Sequence, residues 1–221
     1  SVIGIVAGAV VAWRQTDMKK LIAYSSVSHL GFVMLGIFSL TSLSWNGAYI
    51  QMINHGISTG ALFFLIGFIY DQKHSRDIES FGRLAKAIPL FSLVFIVVSL
   101  SSVALPGTNG FIGEFLILLG SFQSELVSSS WVVVASTGVI LSAIYMLHLV
   151  QKLCYGEEGP NSKGLKDLGA REWAIYIPLV ILIFAIGFFP SWLLEPVSKT
   201  TQTILGSLPT CLLYTSPSPR D

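Results

Sequence analysis

Six apolar stretches follow one another along this chain, and five of them reach or exceed the length of a bilayer crossing. A helix needs about 20 predominantly apolar residues to span the hydrocarbon layer. Backbone groups in hydrocarbon must be bonded within the segment, so each such run is expected to be helical. The first run, Ser1 to Trp13, is short and reads as the end of a helix. The second is Leu21 to Leu40, and the third runs from about Trp45 to Tyr70. The fourth, Pro89 to Phe122, is too long for one straight span. The fifth is Trp131 to Leu153 and the sixth Trp173 to Trp192. Only 11% of residues are charged, against about 25% in soluble domains, and mean hydropathy is +0.71. That is too little charge to cover a water-facing surface. The expected fold class is all-α: a polytopic transmembrane helix bundle with about five full spans, one partial span and one discontinuous helix.

The connecting loops provide an independent test. Arg14, Lys19 and Lys20 lie between spans one and two, and no Lys or Arg lies between two and three. Lys73, Arg76, Arg83 and Lys86 lie between three and four, and only Glu125 between four and five. Lys152, Lys163, Lys166 and Arg171 lie between five and six. Basic loops therefore alternate with loops lacking basic residues, the positive-inside pattern of a serpentine membrane protein. The basic loops are expected to face the cytoplasm. Lys19 and Lys20 also suit plain anchoring at a span end. Trp45, Trp131, Trp173 and Trp192 fall at span edges, as interface anchors do. A net charge of +1 without a basic patch argues against a nucleic-acid partner.

Residue 1 already lies inside an apolar run, so the natural chain is expected to extend upstream. The segment TCLLYTSPSPRD at residues 210–221 resembles read-through of a transposon-end sequencing adapter. Residues 1–209 are taken as the membrane domain and 210–221 as a non-native tail.

Chemistry concentrates in a few residues. Glu114 is the one acidic residue set deep between apolar flanks, in LPGTNGFIGEFLILLG. A carboxylate at bilayer depth costs roughly 3 kcal/mol on insertion scales and marks a functional site by default. Desolvation favours the neutral form of a carboxyl group and a nearby cation the charged one, so a group between these influences exchanges protons readily. Just upstream, Pro106, Gly107 and Gly110 weaken the helix, and a break is expected near Leu105 to Gly110. Unwound backbone at bilayer depth is tolerated where protein or water satisfies it, and ion sites in transporters use such breaks.

His29 lies in KKLIAYSSVSHLGF with Tyr24, Ser25 and Ser28; His55 lies in YIQMINHGISTG with Gln51, Asn54, Ser58 and Thr59. Ser25 and His29 are four apart, as are Gln51 and His55, so each pair shares a helix face. Histidine titrates near neutral pH and relays protons; a hydrogen-bonded structural role is the competing reading. His148 has weaker polar company (Ser142, Tyr145, Gln151), and His74 in a basic loop is expected to be solvated. Two lone cysteines, Cys154 and Cys211, give no metal or disulfide pattern, and no dinucleotide fingerprint, P-loop or HExxH is present.

Three segments occur in order: TDMKKLIAYSSVSHLGFVMLGI, GAYIQMINHGISTGALFFLIG and LPGTNGFIGEFLILLGSF. Together they resemble the antiporter-like membrane subunits of NADH:quinone oxidoreductase (respiratory complex I), subunit M (subunit 4) type, over Ser1 to about Pro209. Related subunits and Mrp-type antiporters usually carry lysine where Glu114 stands. The resemblance implies the C-terminal half of a proton-translocating subunit, with the fourth run as a broken helix. Glu114 then matches the terminal acidic proton site, and His29 and His55 match histidines of the central polar axis. Basic and acidic partners on upstream helices fall outside this chain. The resemblance further implies no cofactor here, since NADH, flavin, iron–sulfur and quinone belong to other subunits. It implies other antiporter-like subunits and the lipid bilayer as partners, in a bacterial inner membrane. An Mrp-type cation/proton antiporter subunit, an energy-converting hydrogenase membrane subunit and a passive scaffold are the alternatives.

Overall fold

The structure, a computed structural model, describes residues 1–207; the expected non-native tail at 210–221 lies outside the described residues. Within the described residues nine α-helices follow in order: α1 Val2–Trp13, α2 Met18–Phe38, α3 Ser42–Lys73, α4 Leu84–Ala87, α5 Pro89–Ser102, α6 Asn109–Phe122, α7 Ser129–Val150, α8 Ala170–Phe188 and α9 Ser191–Ser207. Among the described residues there is no β-strand, only an isolated bridge between Asp17 and Asp77. Helices α2, α3, α8 and α7 with its π-helical extension (Gln151–Tyr155) are long and apolar enough to cross a membrane. α1, α5 and α6 are shorter apolar helices, and α5 and α6 together form the long fourth run. The expected all-α bundle with one discontinuous helix is the architecture found.

Local chemistry sets the helix ends. Asp17 caps α2 by accepting from the amides of Lys19 and Lys20, which satisfies two of the four orphan donors of a helix start. Thr41 and Ser44 close a capping box at the start of α3. Pro89 opens α5, where its missing N–H costs nothing. The next two amides, Leu90 and Phe91, both donate to the Asp167 carboxylate at 2.9 Å.

The break between α5 and α6 spans Val103 to Thr108. It lies slightly upstream of the expected stretch, because α5 ends in a Schellman motif before proline can act. Ala104 N–H donates to Ser101 O, Leu105 N–H donates to Leu100 O, and Ala104 adopts φ +58°. Gly107 also takes positive φ, at +90°. Gly110, expected in the break, is the second residue of α6. It is required for another reason: a Cβ there would collide with the Ser101 carbonyl. A left-handed alanine costs about 1 kcal/mol. Ala104→Gly is therefore expected to raise thermal stability in detergent by that order and Ala104→Val to lower it, as a melting curve would read.

The two sets of loops collect on opposite faces. Met18 N–H donates to Arg76 O, Ile78 N–H to Thr16 O, and Asn161 N–H to Ser80 O. Gln72 and Lys166 exchange hydrogen bonds. The three basic loops thus form one face. At the other, Ser39 and Ser121 hydroxyls are 2.7 Å apart and Thr41 donates to Gly120 O, joining the loops that lack basic residues.

The sixth span ends at Phe188, earlier than Trp192. Trp192 belongs instead to α9, which the hydropathy pattern did not disclose. α9 packs on the beginning of α3, where the Thr201 hydroxyl donates to Asn46 Oδ1 at 3.0 Å.

Candidate functional site

The most extensive helix pairing among the described residues is α3 against α6. Glycine makes it possible. A Cβ on Gly47 would lie 2.7 Å from Ile117 N, and one on Gly113 would lie 2.8 Å from Gln51 Cβ. Small residues let helix backbones approach where water supplies no hydrophobic drive. The approach brings residue 114 of α6 against α2 and α3.

Glu114 is buried, with 3% exposure. Its Oε1 lies 2.9 Å from His29 Nδ1 and accepts from Gln51 Nε2 at 3.3 Å. Its Oε2 is buried without a hydrogen-bond partner among the described residues. His29 and Gln51 are equally enclosed, at 5% and 3% exposure. At that separation a proton on either group is hydrogen-bonded to the other, and moving it between them leaves the net charge of the pair unchanged. A lone charge buried here would be costly.

From His29 the polar groups extend along α3. The His29 and His55 ring centroids are 5.8 Å apart. His55 Nδ1 lies 3.1 Å from the Thr59 hydroxyl. Both rings line a polar cavity with Gln51, Asn54, Ser58 and Ser101. It offers about 10 Å³ for water centres, the scale of a single molecule. The break itself is tied to α3 by Asn109, which is fully buried. Its Oδ1 accepts from the Ser101 hydroxyl and, at 3.4 Å, from that of Ser58; its backbone carbonyl accepts from Asn54 Nδ2 at 2.6 Å. Thus both ends of the disrupted segment are held by polar side chains of the same network.

Of the residues singled out from the sequence, Glu114, His29, His55, Gln51 and Asn54 come together. Ser25 is buried one turn from His29 and donates to Ile22 O. Tyr24 and Ser28 do not join. Tyr24 is exposed on the outside of α2, and Ser28 donates to Ile5 O of α1 at 2.8 Å. Each is about 100° around the helix from a site residue, Tyr24 from Ser25 and Ser28 from His29. His74 is exposed at the left-handed cap of α3. Asn109, Ser101 and Tyr145 join the site without having been marked for it by the sequence. The Tyr145 hydroxyl lies 3.4 Å from His29 Nε2 and its side chain is 1% exposed. The available signal for all three is a polar residue inside an apolar run.

The transmembrane family described as NADH:quinone oxidoreductase/Mrp antiporter matches residues 1–144. NADH-quinone oxidoreductase subunit M of Rhodobacter capsulatus is 46% identical over 207 residues, covering 93% of this chain and 40% of that protein. Its counterpart in Mycobacterium tuberculosis is 38% identical over 93% of this chain and 37% of its own length. The chain thus spans about two fifths of these relatives. Among solved structures, a chain of respiratory complex I from Thermus thermophilus with bound NADH superposes with TM-score 0.83 at 34% identity. That match covers 93% of this chain and 43% of its counterpart. A chain of the Mrp complex from Dietzia reaches TM-score 0.78 at 20% identity, a likeness of fold alone.

Proposed function

The chain belongs to the NADH:quinone oxidoreductase/Mrp antiporter transmembrane family and is a multi-pass membrane protein, and from that premise we propose that it is part of a proton-translocating membrane-arm subunit of NADH:quinone oxidoreductase. Proton movement would be coupled to electron transfer from NADH to quinone, with flavin, iron–sulfur and quinone chemistry carried by other subunits. The partners are other antiporter-like subunits of the membrane arm and the surrounding lipid. The setting is a bacterial inner membrane with the basic face cytoplasmic.

The observation that carries this reading is the buried Glu114–His29 pair beside a broken helix. Glu114 is the terminal proton acceptor. His55 and His29 pass protons along α3 towards it, with Gln51 and Asn54 orienting the path and Ser25 lining the inner face of α2. A cation arriving nearby favours the carboxylate and so drives a proton off the pair, and its departure draws one back. The coupling is electrostatic and strong where the dielectric is low.

The test is Glu114→Gln in the full-length protein within its complete complex. The variant keeps shape and hydrogen bonding but cannot ionise. The ratio of protons translocated to NADH oxidised is expected to fall while NADH reduction of an artificial acceptor in the peripheral arm is unchanged. An unaltered ratio would remove the role assigned to Glu114.

A further inference from the structure

We propose that Tyr145 and His148 on α7 form a side branch through which the Glu114–His29 pair exchanges protons with the basic face; this rests on the reading of Glu114 given above. His29 uses both ring nitrogens: Nδ1 faces Glu114 at 2.9 Å and Nε2 faces the Tyr145 hydroxyl at 3.4 Å. Only the first of these belongs to the path along α3. A hydroxyl both donates and accepts, so Tyr145 matches either tautomer of His29.

The geometry of α7 gives the second contact a direction. The helix runs from the face lacking basic residues towards the basic face, and it ends there in the π-helical turn Gln151–Tyr155. Side chains lean towards the N-terminus of their helix, so Tyr145 points inwards from a Cα nearer the basic face. His148 lies one turn closer to that face, and Lys152 one turn closer again, on the same stripe. His148 is exposed and lines two open clefts of about 390 and 460 Å³, together with Glu79 and Lys152. Arg14 joins the rim of the first cleft and Glu157 that of the second. An imidazole in an open cleft thus stands one helical turn along α7 from buried Tyr145, whose hydroxyl lies against the Glu114–His29 pair.

The transfer balances without any redox partner. Protonated His148 releases its N–H proton, by way of water from the cleft, to the Tyr145 oxygen. Tyr145 passes its own hydroxyl proton to His29 Nε2. His29 yields the Nδ1 proton to Glu114 Oε1. Tyr145 returns to its starting form by hydroxyl rotation, His29 is left with its proton on Nε2, and His148 is re-protonated from the cleft. The reverse sequence empties Glu114 to the same face.

The experiment uses the complete complex in proteoliposomes, with variants of the full-length protein. Proton translocation is read against NADH oxidation, and assembly is checked by NADH reduction of an artificial acceptor. His148→Ala is expected to slow translocation by about tenfold or more, the scale of a lost proton-transfer group. Imidazole added to the basic-loop side should restore it, since the cleft admits a free imidazole ring, and should leave the wild-type rate unchanged. Tyr145→Phe removes one oxygen atom and is expected to slow translocation without imidazole rescue. Wild-type translocation in either variant overturns the branch, and so does a His148→Ala defect that imidazole cannot relieve. If Glu114→Gln is impaired while both α7 variants are normal, the branch alone fails. If Glu114→Gln also translocates normally, the assignment of Glu114 fails with it.

Discussion

Gly113→Val should leave little assembled protein, and none with an intact Glu114 site. A Cβ at residue 113 would meet Gln51 Cβ at 2.8 Å and Gln51 Cα at 3.0 Å, with the Gln51 amide oxygen closer still. Backbone atoms of α3 cannot give way as a flexible side chain does, so the two helices must part. Overpacking in a fitted interior costs about 1–3 kcal/mol, and here the strain falls on the closely apposed α3–α6 pair. It also falls one residue from Glu114, so the 3.3 Å contact between Gln51 and the carboxyl group is lost with it. Gly113→Ala should show the same defect in milder form. The amount of assembled complex and its thermal midpoint in detergent measure both effects. Normal assembly of Gly113→Val would mean that α3 and α6 do not approach this closely.

Asn109→Leu is expected to be nearly as damaging by a different route. The buried amide accepts from the hydroxyls of Ser101 and Ser58, and its Nδ2 lies 3.3 Å from the Ser58 oxygen. Leucine is close in volume but offers no polar atom. A buried polar group deprived of its partner costs about 1–3 kcal/mol, and the losses fall on Ser101 of α5 and Ser58 of α3, whose hydroxyls keep only each other at 2.8 Å. Hydrogen exchange across residues 100–110 should rise sharply. Ser101→Ala removes a single donor and should cost less, about 1 kcal/mol. Unchanged exchange in Asn109→Leu would show that the break is held by other contacts.

Much of this molecule is legible in its sequence, because the cost of polar groups in hydrocarbon acts residue by residue. That cost is why the spans, the alternating loops and the importance of Glu114 can be read without coordinates. The same reasoning marks His29, His55 and Gln51, whose four-residue spacing fixes their face. It falters one residue away: Tyr24 and Ser28 carry the same polar signal but point elsewhere, and only the neighbouring helices decide which face is inward. The break illustrates another limit. Pro106 announces it, yet Ala104, of the residue type that most favours helix interiors, ends α5 first because two backbone hydrogen bonds close there. Gly110 looks like a helix breaker and serves instead as the clearance for Ser101 O. α9 holds charged and hydroxyl residues and Pro196; its helix is supported by α3, a partner 155 residues away at the Asn46–Thr201 contact. Tyr145 enters the site across 116 residues from His29, a distance that no local pattern bridges.

Infrared difference spectroscopy on the complete complex reads the proton on Glu114 itself. Spectra taken between the oxidised and the NADH-reduced, turning-over states should contain a carboxyl C=O band that shifts in deuterium oxide and disappears in Glu114→Gln. Its loss should accompany the fall in proton translocation. A carboxyl spectrum identical in wild type and Glu114→Gln, with no band responding to turnover, would mean that this buried side chain neither takes up nor releases a proton while the complex works.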